Sequence, residues 1–227
     1  MEFDKTKFDV RRVPFSEAKE WILYKHYAHR VPSICFAFGL YEYKEKGGAI
    51  LQGVCTFGVP ASQDLIIGAI GIEYKDNFLE LNRLVVNDGL PRNALSYFVS
   101  NALKMLPKPM VVISYADSGM NHHGYIYQAT NWIYTGMSNP HVDYLPEGQE
   151  GMHVRTLYNN FSIKTTDLKM VKVERSRKYR YFQFLGDKRQ RKKMKKDLKF
   201  PIISDYPKGD NTRYDASYET SPNGVLF

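Results

Sequence analysis

The sequence predicts an α/β (α+β) domain in which helices flank a mixed central sheet, with a basic strand–helix extension towards the C-terminus. Three observations carry this. Apolar, β-branched and aromatic runs recur between turn-forming residues. Stretches with helical spacing separate several of them, the order expected of a mixed sheet. Positive charge is concentrated in one segment. The 227 residues are 43% hydrophobic and 25% charged, which suits one domain with a sizeable core. With 17 Tyr, 13 Phe and only 2 Cys, the chain is neither disordered nor a disulfide scaffold.

The elements follow in order. Residues 8–14 read as a strand. Ser16 is a plausible N-cap, with Glu17 and Glu20 in the first turn of a helix reaching about Tyr27. Residues 33–43 and 49–58 form an antiparallel hairpin around Gly47-Gly48. Leu79 to Val86 is a strand, and 87–93 is rich in turn residues. A helix follows, with Leu95, Phe98, Val99, Ala102 and Leu106 on one face, stopped by Pro107 and Pro109. Met110 to Tyr115 is a buried strand, Gly124 to Thr130 a short helix, and Trp132 to Met137 and His153 to Tyr158 are strands. The basic segment offers a strand (171–184) and a helix (187–198). From Pro201 the chain reads as an extended arm. Cys35 and Cys55 lie in apolar runs, as small core residues do. No run of about 18 apolar residues is present, so no membrane span is expected. Met1-Glu2-Phe3-Asp4-Lys5 lacks the basic-then-apolar order of a signal peptide. A cytoplasmic protein is expected.

The formal charge of +8 is uneven: residues 169–199 hold fourteen Lys or Arg and three acids, leaving the rest at −3. Such density attracts a polyanion through counterion release. Arg177, Lys178, Arg180, Lys188, Arg189, Arg191, Lys192, Lys193, Lys195 and Lys196 are the candidate contacts. Tyr179, Tyr181, Phe182 and Phe184 could stack on bases or fill a core. A membrane surface or an acidic protein are the alternative partners for this charge.

Three places could carry chemistry. The loop at 87–94 feeds a helix N-terminus, which favours anions, and Arg83 and Arg92 could add charge-assisted contacts. Asp117 follows a buried strand, where α/β sites gather, although Asp before Ser-Gly is also a common turn residue. His26-Tyr27, with His29 close by, ends the first helix. Adjacent His122-His123 make a poor chelating pair. Neither a CxxC nor an HExxH motif is present.

The order of elements, with the loop and helix at 87–106 and then Tyr127-Gln128-Ala129-Thr130-Asn131-Trp132, resembles the GCN5-related N-acetyltransferase (GNAT) fold. That resemblance implies that the loop holds the pyrophosphate of an acyl-CoA such as acetyl-CoA. Arg83, Leu84, Val85, Arg92, Asn93, Ala94 and Ser96 would then form its site, and Tyr127 would protonate a leaving thiolate. The loop itself, Asp88-Gly89-Leu90-Pro91-Arg92-Asn93-Ala94, departs from the usual glycine-rich pattern. A narrower set looks like the Mom family of phage DNA-modification proteins: His26-Tyr27, Glu80-Leu81-Asn82-Arg83-Leu84, Ser114-Tyr115-Ala116-Asp117, Tyr127-Gln128-Ala129 and the ending Gly186-Asp187-Lys188-Arg189.

This resemblance implies an enzyme acting on double-stranded DNA. It would convert adenine to N6-(carbamoylmethyl)adenine and so protect the DNA from restriction endonucleases. His26, Tyr27 and Asp117 fall at the implied active site, with iron as an associated metal and Asp117 as a general base, while Arg83 and Tyr127 fall on the cofactor cleft. It divides the chain into a catalytic domain (1–165), a basic extension (166–200) and an arm (201–227), and it admits a homodimer. Attack on a thioester gives an amide, whereas the implied product is an alkylated amine, so one acyl transfer does not form it. Two other readings fit the residues: an ordinary acyl-CoA-dependent acyltransferase on a protein or small amine, and a non-catalytic DNA-binding protein.

Overall fold

The computed structural model describes residues 2–44, 47–150 and 169–210. The first strand, β1 (Phe8–Arg12), leads into α1 (Phe15–Lys25). Pro14, fixed at φ −59°, starts this helix and its carbonyl accepts from Ala18 N. Ser16 therefore lies inside the first turn and is not the cap. The hairpin forms as β2 (Phe36–Tyr43) and β3 (Ala49–Gly58), paired antiparallel. A helix that the pattern missed, α2 (Gln63–Ala69), precedes β4 (Phe78–Val86). Next come α3 (Ala94–Lys104), β5 (Met110–Asp117), α4 (Tyr125–Ala129), β6 (Ile133–Met137) and β7 (His141–Pro146). The expected strand at His153–Tyr158 lies outside the described residues.

The expected strand over 171–184 is two strands, β8 (Met170–Arg175) and β9 (Lys178–Leu185), broken at Ser176-Arg177. They have different partners. β8 pairs with β7 in a separate two-stranded ribbon, while β9 enters the main sheet, whose order is β1-β2-β3-β4-β5-β9-β6. The basic stretch thus supplies an interior strand. Its alternation explains why: Tyr181 and Phe182 are fully buried, on opposite faces, and Arg180 is half-buried. α5 (Lys188–Asp197) follows, capped by Asp187 and Gln190 in a reciprocal capping box.

The sheet separates two layers. On one face α3 and α4 pack over Phe38, Leu40, Phe57, Leu81, Val112 and Tyr181. On the other, α2 and α5 cover Phe78, Val111, Ile113, Phe182 and Phe184, and α1 covers Val54 and Val85. Phe98, Val99, Ala102 and Leu103 of α3 are buried, and each large one contributes about 1.5–3 kcal/mol by leaving water. Beyond α5 the arm crosses the α4 face: Ile203 N donates to Tyr134 O, Tyr206 Oη to Trp132 O, and Gln128 Nε2 to Pro207 O.

Candidate active site

The site follows from one interruption in the sheet. β4 and β5 are parallel neighbours, but they pair only at Phe78↔Val111, Leu79↔Val112 and Glu80↔Ile113. Beyond Glu80, β4 stays with β3 to Val86, and beyond Ile113, β5 stays with β9 to Asp117. The two strands splay, and a cleft of about 690 Å³ opens between them. A β-bulge at Asn82 sharpens the split, since Thr56 faces Arg83 while Phe57 faces Leu81.

The cleft is lined by Leu81 to Leu84 of β4, Tyr115 and Ala116 of β5, and Tyr127 of α4. His26 and Tyr27 after α1, and Arg92, Asn93 and Ser96 at the start of α3, complete it. Of the expected cofactor residues, Val85 and Ala94 do not line it. Strand alternation turns Leu84 to the cleft and Val85 into the α1 layer, and Ala94 is buried as the first residue of α3.

The wall bearing His26 and Tyr27 is clamped to β3 and β4. Asn82 Nδ2 donates to Ser33 O at 2.8 Å, and its Oδ1 accepts from Thr56 Oγ1 at 2.7 Å. Arg83 donates to Arg30 O from Nε and one terminal nitrogen, 3.2 and 2.9 Å, and to Asn82 O from the other, 2.6 Å. A Cβ on Gly58 would sit 1.9 Å from Ser33 O, so only glycine allows this approach. Arg83, expected on a phosphate, thus holds backbone. On this wall the His26 ring stacks on Tyr27 at 4.4 Å, and His122 meets Tyr27 edge-on at 5.9 Å. Burial, aided by Arg83, His29 and His122, pushes the His26 imidazole down to about 3, so it is neutral at neutral pH. Its Nδ1 accepts from Ala28 N.

Two carboxyls on the splayed strands, Glu80 of β4 and Asp117 of β5, differ. Glu80 ends the paired part of β4. Burial raises its affinity for a proton, against the pull of Arg83, Lys178 and Arg30. Like Glu80, Asp117 is not among the residues that line the cleft. Burial pushes its carboxyl up, but Ser176 Oγ (2.5 Å), Lys178 Nζ (3.1 Å) and Gly119 N (2.9 Å) outweigh this and hold it below the usual range. It caps the turn after β5 and ties it to β9. As a general base it is weakly basic and already engaged. Glu80 is a residue that sequence reading passes over as a catalytic candidate, because a single acid in a strand reads as a solvent-facing one. Its place at the last β4–β5 pair is a long-range fact.

The residues do not fit a preformed iron site built from His26, Tyr27 and Asp117. Both Asp117 oxygens are engaged, one of them by the Lys178 ammonium. Among the described residues no cluster of three or more His, Cys, Asp or Glu could hold a metal ion. An acyl-CoA fits better. The α3 N-terminus has no side-chain cap, Asn93 is left-handed at φ 78°, and Arg92, Asn93 and Ser96 border the cleft. The loop is braced from behind by Lys25 Nζ on Asn87 Oδ1 and Asn87 Nδ2 on Gln52 Oε1.

The basic residues divide by element. Lys178 and Arg180 begin β9, beside Asp117 and Tyr115 respectively. Arg177 Nε donates to Ser138 O. Lys188, Arg189, Arg191, Lys192, Lys193, Lys195 and Lys196 are exposed on α5, whose buried residue is Met194. Among the described residues, the salt bridge of this helix joins Lys193 to Asp197 at 2.7 Å, with Tyr74 bonded to both. No described helix is long and apolar enough to cross a membrane.

The chain is similar to known proteins at two levels. Among solved structures, it is similar to yncA from Salmonella typhimurium, determined with acetyl-CoA. The TM-score is 0.44 at 10% identity, covering 80% of this chain and 95% of that one. It is also similar to a GNAT-family acetyltransferase from Bacillus cereus, with a TM-score of 0.40 at 9% identity over 79% and 99% of the two chains. In sequence it is 30% identical over 205 residues to methylcarbamoylase mom of Escherichia phage Mu, covering 84% of this chain and 80% of the phage protein. The pattern of the Mom protein family matches residues 7–208, a span holding both walls of the cleft and all of α5. The chain belongs to the Mom protein family.

Proposed function

We propose that this chain is a DNA adenine-modifying transferase, placing a carbamoylmethyl group on the exocyclic N6 in the cleft between β4 and β5. The observation that carries the reading is the splay itself: a cavity lined by Tyr27, Tyr115, His122 and Tyr127, opening directly beyond the last β4–β5 pair, where burial makes the Glu80 carboxyl more basic. Family membership supports the same reading. An adenine inside a duplex cannot present N6 to such a cavity, so the base must leave the stack. Tyr27, Tyr115 and His122 offer it ring faces and edges. N6 is a poor nucleophile because its lone pair is delocalised into the ring, and removing its proton as the bond forms is the natural help. Glu80, made more basic by burial, suits that role better than Asp117.

The N-terminal end of α3, with Arg92, Asn93 and Ser96, would hold the phosphates of an acyl-CoA such as acetyl-CoA. When bound, that group would supply an acyl carbon with a thiol leaving group, and a nitrogen-bearing co-substrate would have to supply the amide of the carbamoylmethyl product. The carbamoylmethyl product joins N6 to a methylene carbon, whereas acyl transfer joins it to a carbonyl. Binding, orientation and removal of the N6 proton serve either bond. Tyr127, buried and held protonated, would return a proton to the leaving group. The exposed bases of α5 would grip the DNA backbone, protecting phage DNA from restriction being the expected benefit.

Nucleoside mass spectrometry of plasmid DNA from cells expressing the protein tests this reading. A new adenine nucleoside heavier by a carbamoylmethyl group is expected. Unmodified adenine alongside soluble, DNA-binding protein would overturn it.

A further inference from the structure

We propose that Ser114 is a positioning residue of this cleft, whose hydroxyl closes the point of the splay and dictates where the Tyr127 hydroxyl directs its proton. The inference rests on the reading of Tyr127 as proton donor.

The argument starts from the register. Backbone pairing of β4 with β5 ends at Glu80↔Ile113, so the next positions are Leu81 and Ser114. There a side chain takes over, with Ser114 Oγ 2.7 Å from Leu81 O. The same Oγ lies 2.7 Å from Tyr127 Oη. Ser114 is 1% exposed and Tyr127 7%. A serine hydroxyl has one proton, and a carbonyl oxygen can only accept. Ser114 must therefore donate to Leu81 O, and Tyr127 must donate to Ser114 Oγ. In the resting protein the phenol proton is directed at the apex, away from solvent.

The arrangement has a second state reached by rotating one bond. Were a thiolate released beside it, the Tyr127 O–H would break, its proton going to the sulfur and its electron pair staying on the phenolate oxygen. Ser114 then turns its own O–H from Leu81 O to that phenolate. The ring is meanwhile held by Trp132 and Tyr181, both with centroids 5.1 Å away. Valine or alanine at 114 would suit the buried strand better on packing grounds alone, so a hydroxyl at the step where backbone pairing stops is informative.

The test compares initial rates of adenine modification after induction for wild type, Ser114→Ala, Ser114→Thr, Tyr127→Phe and the Ser114→Ala/Tyr127→Phe pair. Ser114→Ala is expected to slow modification roughly ten- to a hundredfold. Ser114→Thr restores most of the rate. On a Tyr127→Phe background, Ser114→Ala should cost less than about twofold, because both changes remove one unit. A second readout needs no activity. With tyrosine labelled at ¹³Cζ, the Tyr127 resonance, identified by its loss in Tyr127→Phe, should shift in Ser114→Ala and hold in Ser114→Thr. Additive rate losses, or an unmoved Tyr127 resonance, would overturn the inference. If wild type leaves adenine unmodified, the proposed function fails by itself, and the resonance still decides the positioning.

Discussion

The β4–β5 cleft and helix α5 use polar groups in opposite ways. In and around the cleft, key polar side chains are held by another group: Arg83 on Arg30 O, Asn82 on Ser33 O, Ser114 between Leu81 O and Tyr127. On α5, among the described residues, one basic side chain, Lys193, has a salt bridge, and its neighbours face solvent at four-residue spacings that bring like charges together. Like-charge pairs at that spacing weaken a helix, and a polyanion relieves them. The lesson is that fixed geometry marks the place for chemistry, while unrelieved charge marks the place for a partner. The β7–β8 ribbon sharpens the point. It too is charged, but Arg175 and His141 pair with Asp143, Lys172 with Glu174, and adjoining Lys169 with Glu147. Charge content alone would group it with α5.

The contrast can be broken in four places. The largest effect is expected at Arg83. Arg83→Ala removes the guanidinium that docks the His26–Tyr27 wall, and modification should fall on the order of a hundredfold or more with duplex affinity unchanged. Arg83→Lys should not rescue, since an ammonium cannot reproduce the fork. Nucleoside mass spectrometry and a filter-binding titration read the two quantities separately. An equal loss of affinity would merge the two regions.

Next is the helix. Changing Arg189, Lys192, Lys195 and Lys196 together to Gln should weaken binding to any duplex sequence, and the slope of log K against log salt should shrink by about 0.9 for each phosphate no longer neutralised. Lys193 is spared because it is committed to Asp197 and Tyr74. An unchanged slope would remove the DNA from this face.

A smaller effect concerns pH. The folded chain refuses a proton on His26 down to about 3, whereas the unfolded chain takes one near 6.5. Stability from this group is therefore complete above about 6.5 and declines as pH falls, by at most about 1.4 kcal/mol per pH unit. His26→Gln should flatten Tm against pH between 6.5 and 4, and an unaltered profile would contradict the burial argument. The smallest effect is the control: Lys172→Gln in the ribbon should leave duplex affinity within about twofold, as exposed pairs contribute little.

Much of the fold is legible in the sequence because it is local. Gly47-Gly48 announces the β2–β3 hairpin, and the spacing of Phe98, Val99 and Ala102 announces α3. The seven-residue α2, with Gly68 inside it, falls below what periodicity can resolve. β9 reads as part of a charged extension because Lys178 and Arg180 alternate with aromatics, and only its pairing with β5 and β6 makes it interior. His26, Tyr27, Arg83 and Tyr127 are readable as a set and do share the cleft. That Asp117 is occupied by Ser176 and Lys178, some sixty positions later, is not readable. Nor is the meaning of Glu80 or Ser114, which exists only where two strands part.

The central claim is that the splayed β4–β5 cleft modifies adenine while α5 holds the DNA. Glu80→Gln tests it most directly, measured in one preparation for adenine modification by nucleoside mass spectrometry and for duplex affinity across a salt series. The account predicts wild-type affinity and salt slope with modification lost. Full modification by the Glu80→Gln variant would contradict it.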